Sequence, residues 1–518
     1  MLARHASGVF LWVVLACRSL ARGLDDGDNH RELQAKIEEL PAELGDLFRH
    51  IINRMKPKYR DKATKLLRVK YEDTVHRQIG DTSLPRNWAI AYALLDEAGE
   101  NGMDIFQWPA YSLMTYEERR SRCKILEAKL QSRCLGLLEM SPVRNETADW
   151  CLCPSMSFNS VGVMGHDMTI DSTVEFMHRS LYEFLGTLGA WEISCVGTND
   201  SNFNVSGCLA MMSLSLAQVF QDVSPLATHL ATRHLSNAMT HAAISDRHSP
   251  HAALPILSHL GQALSKLPRP MPFPIITDPT LDVPSQPIAV LGVEAGLANF
   301  VRTHIQRPRR FWDSRKDANN LPLHYHATQQ IYLDHILGSQ PKPTPSPDLL
   351  NYLLSDGGFS ANEICWDKMQ GGSRSPWQSW LRKLHRVTPA KARELVPITE
   401  AFVRNGADVH VADPEMSVSG LIRRHFIGNL ECDSRDSNIE GRIIEGRRLL
   451  GIIESHCSAG TCHIHEHPRR SLMATSTPGG APVLGKRRLS GTGGDEHQGR
   501  NVRVRSSQAV EPGSDGKS

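Results

Sequence analysis

STVEFMHRSLYEFLGTL, residues 172–188, changes its apolar period halfway. Up to His178 the residues alternate, with Val174, Phe176 and His178 on one side and Glu175 and Met177 on the other. That is the pattern of a short, half-buried strand. From there Leu181, Phe184, Leu185 and Leu188 recur at helical spacing, one face of an amphipathic helix. Ser180 and Glu183 have the spacing of a capping box, with Ser180 expected at the N-cap and its hydroxyl on the Glu183 amide. A hydrolase built from His178, Ser180 and Glu183 is a poor reading. Triad members come from separate segments, and no G-x-S-x-G elbow surrounds the serine. His178 and Arg179 just ahead of a helix N-terminus could meet a phosphate, because exposed amides and the helix dipole favour anions there. The plain alternative is a half-buried structural histidine beside a solvated arginine.

Upstream of this strand the pattern is helical. WAIAYALLDEAG (88–99) reads as a short buried helix stopped by Gly99. ERRSRCKILEAKLQSRCLGLLEM (118–140) places Cys123, Leu126, Leu130, Cys134 and Leu138 on one stripe, so a helix is expected over 119–139. TADWCLCP (147–154) is the expected first strand of a hairpin, with a polar loop running to about 170. Helices followed by two strands and a long loop between them make a winged-helix arrangement with the hairpin as wing. The expected domain is 71–190. Further upstream, ASGVFLWVVLAC (6–17) imitates a signal peptide but lacks an A-x-A cleavage site and is too short to span a bilayer. It reads as a buried helix over 6–24. Leu33, Ile37, Leu40, Leu44, Leu47 and Ile51 continue the helical spacing, with a new helix expected to begin at Pro41. Residues 1–70 are thus expected to be wholly helical.

Downstream, 191–266 reads as a helical domain that includes GCLAMMSLSLAQVF and HAALPILSHLGQALSKL. The stretch 267–287 is a Pro-rich linker. From 288 to 455, helix-loop units recur: IAVLGVEAGLANFVRTHI, LPLHYHATQQIYLDHIL, LLNYLLSDGGFSANEICW and ITEAFVRNGADVHVAD. Two of them end in Gly at the C′ position. Their spacing exceeds the ankyrin period, so the reading is a degenerate ankyrin-like solenoid with insertions. From about 468 the chain turns to Ser, Thr, Gly, Pro and Arg, and 456–518 reads as a His-rich and basic tail. A disordered tail is expected, because few apolar residues remain to offset chain entropy. The fold class is therefore mainly α: a helical bundle with a winged-helix hairpin, an irregular solenoid and a tail.

The 518 residues carry a net charge of +2, which argues against a general polyanion binder. Eleven cysteines in so long a chain do not make a disulfide scaffold, and a reducing compartment fits better. The expected location is cytoplasmic, with the nucleus as alternative. Cys457, Cys462, His463, His465 and His467 are a weak candidate set for zinc, lacking the usual paired spacings; a flexible His-rich stretch is the alternative. Ser490 in GKRRLSG is a weak candidate for a basophilic kinase, set against a solvated basic tail. Arg119, Arg120, Arg122, Lys124, Lys129 and Arg133 give the 119–139 helix basic character, but Glu117, Glu118 and Glu127 interrupt it, so nucleic acid is disfavoured as a partner. Trp377 and Trp380 read as a core stripe.

HASGVFLWVVLACRSLARGLDDGD (5–28) followed by ELPAELGDLFRHI (39–51) resembles the segment that follows the nucleotide-binding core of fungal NACHT-type STAND proteins. LQSRCLGLLEM (130–140), the strand pair and VEFMHRSLYEFL (174–185) resemble the winged-helix module downstream in that family. The resemblance covers about 6–190 well and 288–415 loosely. It implies the C-terminal part of a regulated NTPase switch of the kind used in fungal non-self recognition and cell death. It also implies that His178 contacts the ADP phosphate where a NACHT core is present. No G-x-x-x-x-G-K-[ST] and no acidic Walker B strand occur, so nothing in the sequence grips and polarises a triphosphate. The expectation is a non-enzymatic regulatory module with no cofactor, no membrane contact and a protein partner at 288–455. Two alternatives stand beside it. The chain could complete the pocket of a separate NACHT ATPase in trans through His178, or it could be a winged-helix DNA binder.

Overall fold

The computed structural model describes residues 10–79, 87–99, 103–142, 167–187, 190–191, 203–219, 225–265, 286–305, 308, 321–367, 372–387, 394–411, 418, 447–448 and 450–455. The chain is mainly helical, with two small antiparallel strand pairs among the described residues. Residues 1–463 form one compact unit, and its core runs without interruption from Leu11 to Ile453.

Three helices come first: α1 (Phe10–Asp25), α2 (His30–Glu38) and α3 (Leu44–Asn53). The apolar face of α1 buries Leu11, Trp12, Leu15 and Ala16, as its spacing predicts. Among the described residues no helix is long and apolar enough to cross a membrane. Asn29 caps α2 in a complete capping box with Glu32, yet α2 buries none of its residues and carries Leu33 and Ile37 half-exposed. α3 starts at Leu44 and not at Pro41. The Pro41 carbonyl instead accepts the Trp12 indole N–H at 2.6 Å, which ties the turn to α1.

α4 (Pro57–Ile79) runs across residue 70. Then come α5 (Ala89–Ala98), a 3-10 turn (Ile105–Gln107), α6 (Tyr116–Arg133), β1 (Leu138–Pro142), β2 (Ser172–Phe176) and α7 (Arg179–Leu185). The helix expected over 119–139 is shorter at its C-terminal end. Leu135 (φ 54°) and Gly136 (φ 74°) take left-handed conformations, and the Gly136 amide returns to the Leu130 carbonyl at 3.3 Å. That is a Gly-type helix stop. Leu138, the last member of the stripe, lies in a strand and still reaches the same core, because strand and helix approach it from adjacent directions. β1 pairs antiparallel with β2, Met140 opposite Val174. The partner of β2 is thus 138–142; TADWCLCP lies outside the described residues. Trp88, just before α5, adds an isolated bridge to Thr173, so a third strand position edges the pair.

α8 (Val205–Val219) and α9 (Pro225–His248) pack along each other, and α10 (Ala253–Ser265) packs on both. From 286 the helices form two rows. α11 (Gln286–Glu294), α13 (Leu323–Gln329) and α16 (Pro376–Arg386) stack in one; α12 (Ala298–His304), α15 (Pro347–Ser355) and α17 (Val396–Arg404) stack in the other. α14 (Ile331–Leu337) packs beside α11 and α9. β3 (Cys365–Asp367) and β4 (Gly372–Arg374) form a hairpin between α15 and α16. The linker expected at 267–287 and the tail expected at 456–518 lie outside the described residues, save that α11 begins at 286.

Candidate functional site

His178 is the N-cap of α7, in extended backbone conformation (φ −159°, ψ 150°). Its Nδ1 accepts the Ser180 N–H at 3.1 Å. The expected Ser180–Glu183 capping box is absent, and the reason is local. The imidazole occupies the amide first, which moves the cap two residues earlier and leaves Ser180 inside the helix. Glu183 pairs instead with Arg179 at 2.8 Å on an exposed face. With Nδ1 accepting a backbone N–H, the proton of the neutral ring sits on Nε2. The side chain is exposed, so that N–H faces outward. α7 itself is firmly seated: Leu181 and Leu185 are buried, Phe184 packs on Phe48 with ring centres 5.5 Å apart, and Tyr182 stacks on Tyr71 at 5.3 Å.

The basic residues of α6 are mostly engaged within the chain. Arg119 is buried and donates to the Met114 carbonyl at 2.8 Å. Arg120 meets Asp167 at 3.0 Å, and Arg122 meets Glu97 at 2.8 Å. Lys129 and Lys62 converge on the carboxylate of Asp96, whose ionised form they favour against burial. Arg133 lies over the Tyr59 ring. The outward face of α6 therefore carries Lys124 against Glu117, Glu118 and Glu127, an acidic surface where a DNA-reading helix would need a basic one.

In the two-row region, α15 and α17 are followed by left-handed glycines, where a side chain would be strained. Gly406 (φ 80°) closes α17, with the Ala407 amide returning to the Phe402 carbonyl. Gly358 (φ 73°) follows α15. Trp377 and Trp380 are fully buried, as expected of a core stripe. Their indole N–H groups donate to the Asp408 carbonyl (2.9 Å) and the Thr399 hydroxyl (3.1 Å), locking α16 to α17. Ile364, just before β3, is 68 % exposed.

Two buried ionic groups escaped the sequence reading. Lys70 on α4 is 1 % exposed; its Nζ meets Glu175 on β2 at 2.8 Å, and burial pushes its ammonium below its usual range. Asp73 nearby accepts from Arg77 (2.6 Å), Asn87 (2.9 Å) and Tyr92 (3.2 Å). This network ties α4 to α5 and to the strand pair. In the second group Glu294, fully buried at the end of α11, accepts from His326 Nδ1 at 2.7 Å and from the amides of Tyr332 (3.0 Å) and Leu333 (2.7 Å). It caps α14 from another helix. The contacts that join elements, Lys70 to Glu175 and Glu294 to His326, Tyr332 and Leu333, span residues distant in sequence, which no local pattern signals.

Cys457, Cys462, His463, His465, His467 and Ser490 lie outside the described residues. Among the described residues no group of His, Cys, Asp and Glu is placed to hold a metal. Residues 54–226, from the end of α3 to the first turn of α9, match the model of a family described only as a domain of unknown function, DUF7791. No curated protein and no solved structure matches the chain.

Proposed function

We propose that the chain is a non-catalytic regulatory and protein-interaction portion of a STAND-type signalling protein, of the kind used in fungal non-self recognition or cell death. It docks a protein partner through 288–455, has no enzymatic step of its own, and resides in the cytoplasm or the nucleus. The observation that carries this reading is the pair of stacked helix rows with a hairpin between α15 of one row and α16 of the other. That arrangement is what an ankyrin-like solenoid requires, and solenoids present long surfaces to proteins. The order α4, Trp88 bridge, α5, α6, β1, β2 is that of a winged helix and supports the resemblance for the N-terminal half. The test is hydrogen exchange on the full chain with a co-purified partner. Protection within 288–411 is expected; protection confined to 10–190 would overturn the proposal.

A second reading is favoured by one observation. The outward Nε2–H of His178 could reach a phosphate held by a separate NACHT ATPase. Adding the chain should then tighten ADP binding by that ATPase, and His178→Ala should remove the gain. DNA binding draws no support from the acidic outward face of α6.

A further inference from the structure

A cleft of about 890 Å³ opens between α4, the 3-10 turn at 105–107, the first turn of α8 and the C-terminal end of α9. Its volume falls in the range of small-molecule sites. One wall is a polar ridge on α4, where Arg68, Glu72 and His76 follow one another at intervals of four. Ile105, Phe106, Phe203 and Ile244 supply the apolar part of the lining, beside the polar His248, Ser249 and His251. A Cβ at Gly207 would stand 3.2 Å from Ile105 Cδ1, so the 3-10 turn and α8 are held in close contact and set the width of the cleft.

The acids of the cleft are already engaged. Asp104 accepts the Phe106 amide at 2.9 Å and the Gln107 side chain at 3.4 Å, and Glu72 faces His76 at 4.0 Å. Arg68 is different. Its guanidinium lies over the Trp191 ring, 5.4 Å from the centre, and among the described residues no carboxylate pairs with it. An arginine held over an aromatic ring keeps its fork of donors for a carboxylate or phosphate-like group. Close by, Asn204 Oδ1 is spent on the Gly207 amide at 2.7 Å. Among the described residues nothing accepts from the amides of Val205 and Ser206, two lining residues at the end of a helix that favours negative charge. Behind His76, at 5.1 Å between ring centres, His241 is 2 % exposed with Nδ1 unpartnered among the described residues.

We infer that this cleft binds a small organic anion with a planar apolar body, a class of ligand that nothing in the proposed interaction role requires. The anionic head pairs with Arg68 and the first turn of α8; the apolar body lies on the Phe106–Phe203 wall. The probe is 1-anilinonaphthalene-8-sulfonate, titrated by fluorescence into the full chain, with N-phenyl-1-naphthylamine as its uncharged counterpart. Saturable binding at one site is expected. Arg68→Gln should weaken the sulfonate at least tenfold and leave the uncharged probe within twofold, while Phe203→Ala weakens both. Near-UV circular dichroism checks that each variant is folded, and Arg68→Lys, which keeps the charge, stands in if Arg68→Gln is not; it should weaken the sulfonate less than Phe203→Ala does. Saturating sulfonate should slow hydrogen exchange at 103–107 and 203–208. Non-saturable binding, equal affinity in folded Arg68→Gln, or protection elsewhere overturns the inference.

Discussion

Cys123 and Cys134 sit on the buried stripe of α6, and burial pushes both thiols up to about 12. Thiolate, not thiol, is the nucleophile. Peptide mapping after brief alkylation of the native chain at pH 8 should find Cys17, which is exposed, modified and these two untouched. Labelling of all three at similar rates would contradict the packing. His234 and His241 follow the same logic with opposite charge. Both are enclosed in α9, and burial lowers their imidazoles to about 3, with Arg233 adding to the effect at His234 and His76 at His241. A folded pKa below the unfolded one means stability that is complete above about pH 6.5 and falls as the pH drops toward 3. Each such histidine contributes a slope of about 1.4 kcal/mol per pH unit in that window. His234→Leu should therefore flatten the dependence of the urea midpoint on pH between 6 and 4; an unchanged slope would refute the assignment. His178 is a smaller case. Because Nδ1 caps only one amide, His178→Ala should cost at most about 1 kcal/mol, and His178→Ser, an ordinary N-cap residue, should recover most of it.

At the scale of elements, α14 depends on a residue outside itself. It has no side-chain cap from its own N-cap residue, Gln330, which adopts a left-handed conformation (φ 54°). Glu294 supplies the acceptors instead, and the Gln330 amide side chain braces the turn by donating to the Glu294 and Pro343 carbonyls. Glu294→Ala would remove the acceptor that two buried amides and the His326 ring nitrogen now share. The expected loss is about 3–5 kcal/mol in chemical denaturation. Glu294→Gln keeps one acceptor oxygen and should lose less. A loss under about 1 kcal/mol for Glu294→Ala would mean that water or another group takes over the cap.

At the scale of the molecule, one apolar core links α1 to the last described helical turn. Trp12 near one end and Trp380 near the other are both fully buried in it. Either Trp→Ala substitution should cost about 3–5 kcal/mol. Because the core is continuous, both should shift the same single thermal transition. A biphasic melt in which each substitution moves a different phase would mean that the two halves fold as separate units.

Much of this was legible in the order of residues. Apolar periodicity placed α1, α5, α8 and α10, and it put Trp377 and Trp380 in the core, because burial of one helical face repeats in sequence with the helix. Alternation placed β2. The same stripe misled at the end of α6, since Leu138 continues a helical spacing while the chain has already turned at Leu135 and Gly136 to pair with β2. A strand's choice of partner depends on long-range hydrogen bonds that no local pattern records. The cap of α7 went the same way: both Ser180 and His178 could stand at the N-cap, and the extended backbone leading out of β2 gave the position to the histidine. The charged networks around Lys70 and Glu294, and the cleft at Arg68, were beyond reach of the sequence. Their key contacts, such as Lys70 with Glu175 and Glu294 with His326, join residues far apart in sequence, and only packing of the elements brings such groups within a hydrogen bond of one another. Sequence alone determined which stretches are helical and which faces are apolar, because those follow from local sterics and burial. Tertiary structure decided which polar groups meet, because burying a charge requires a partner that the fold must deliver.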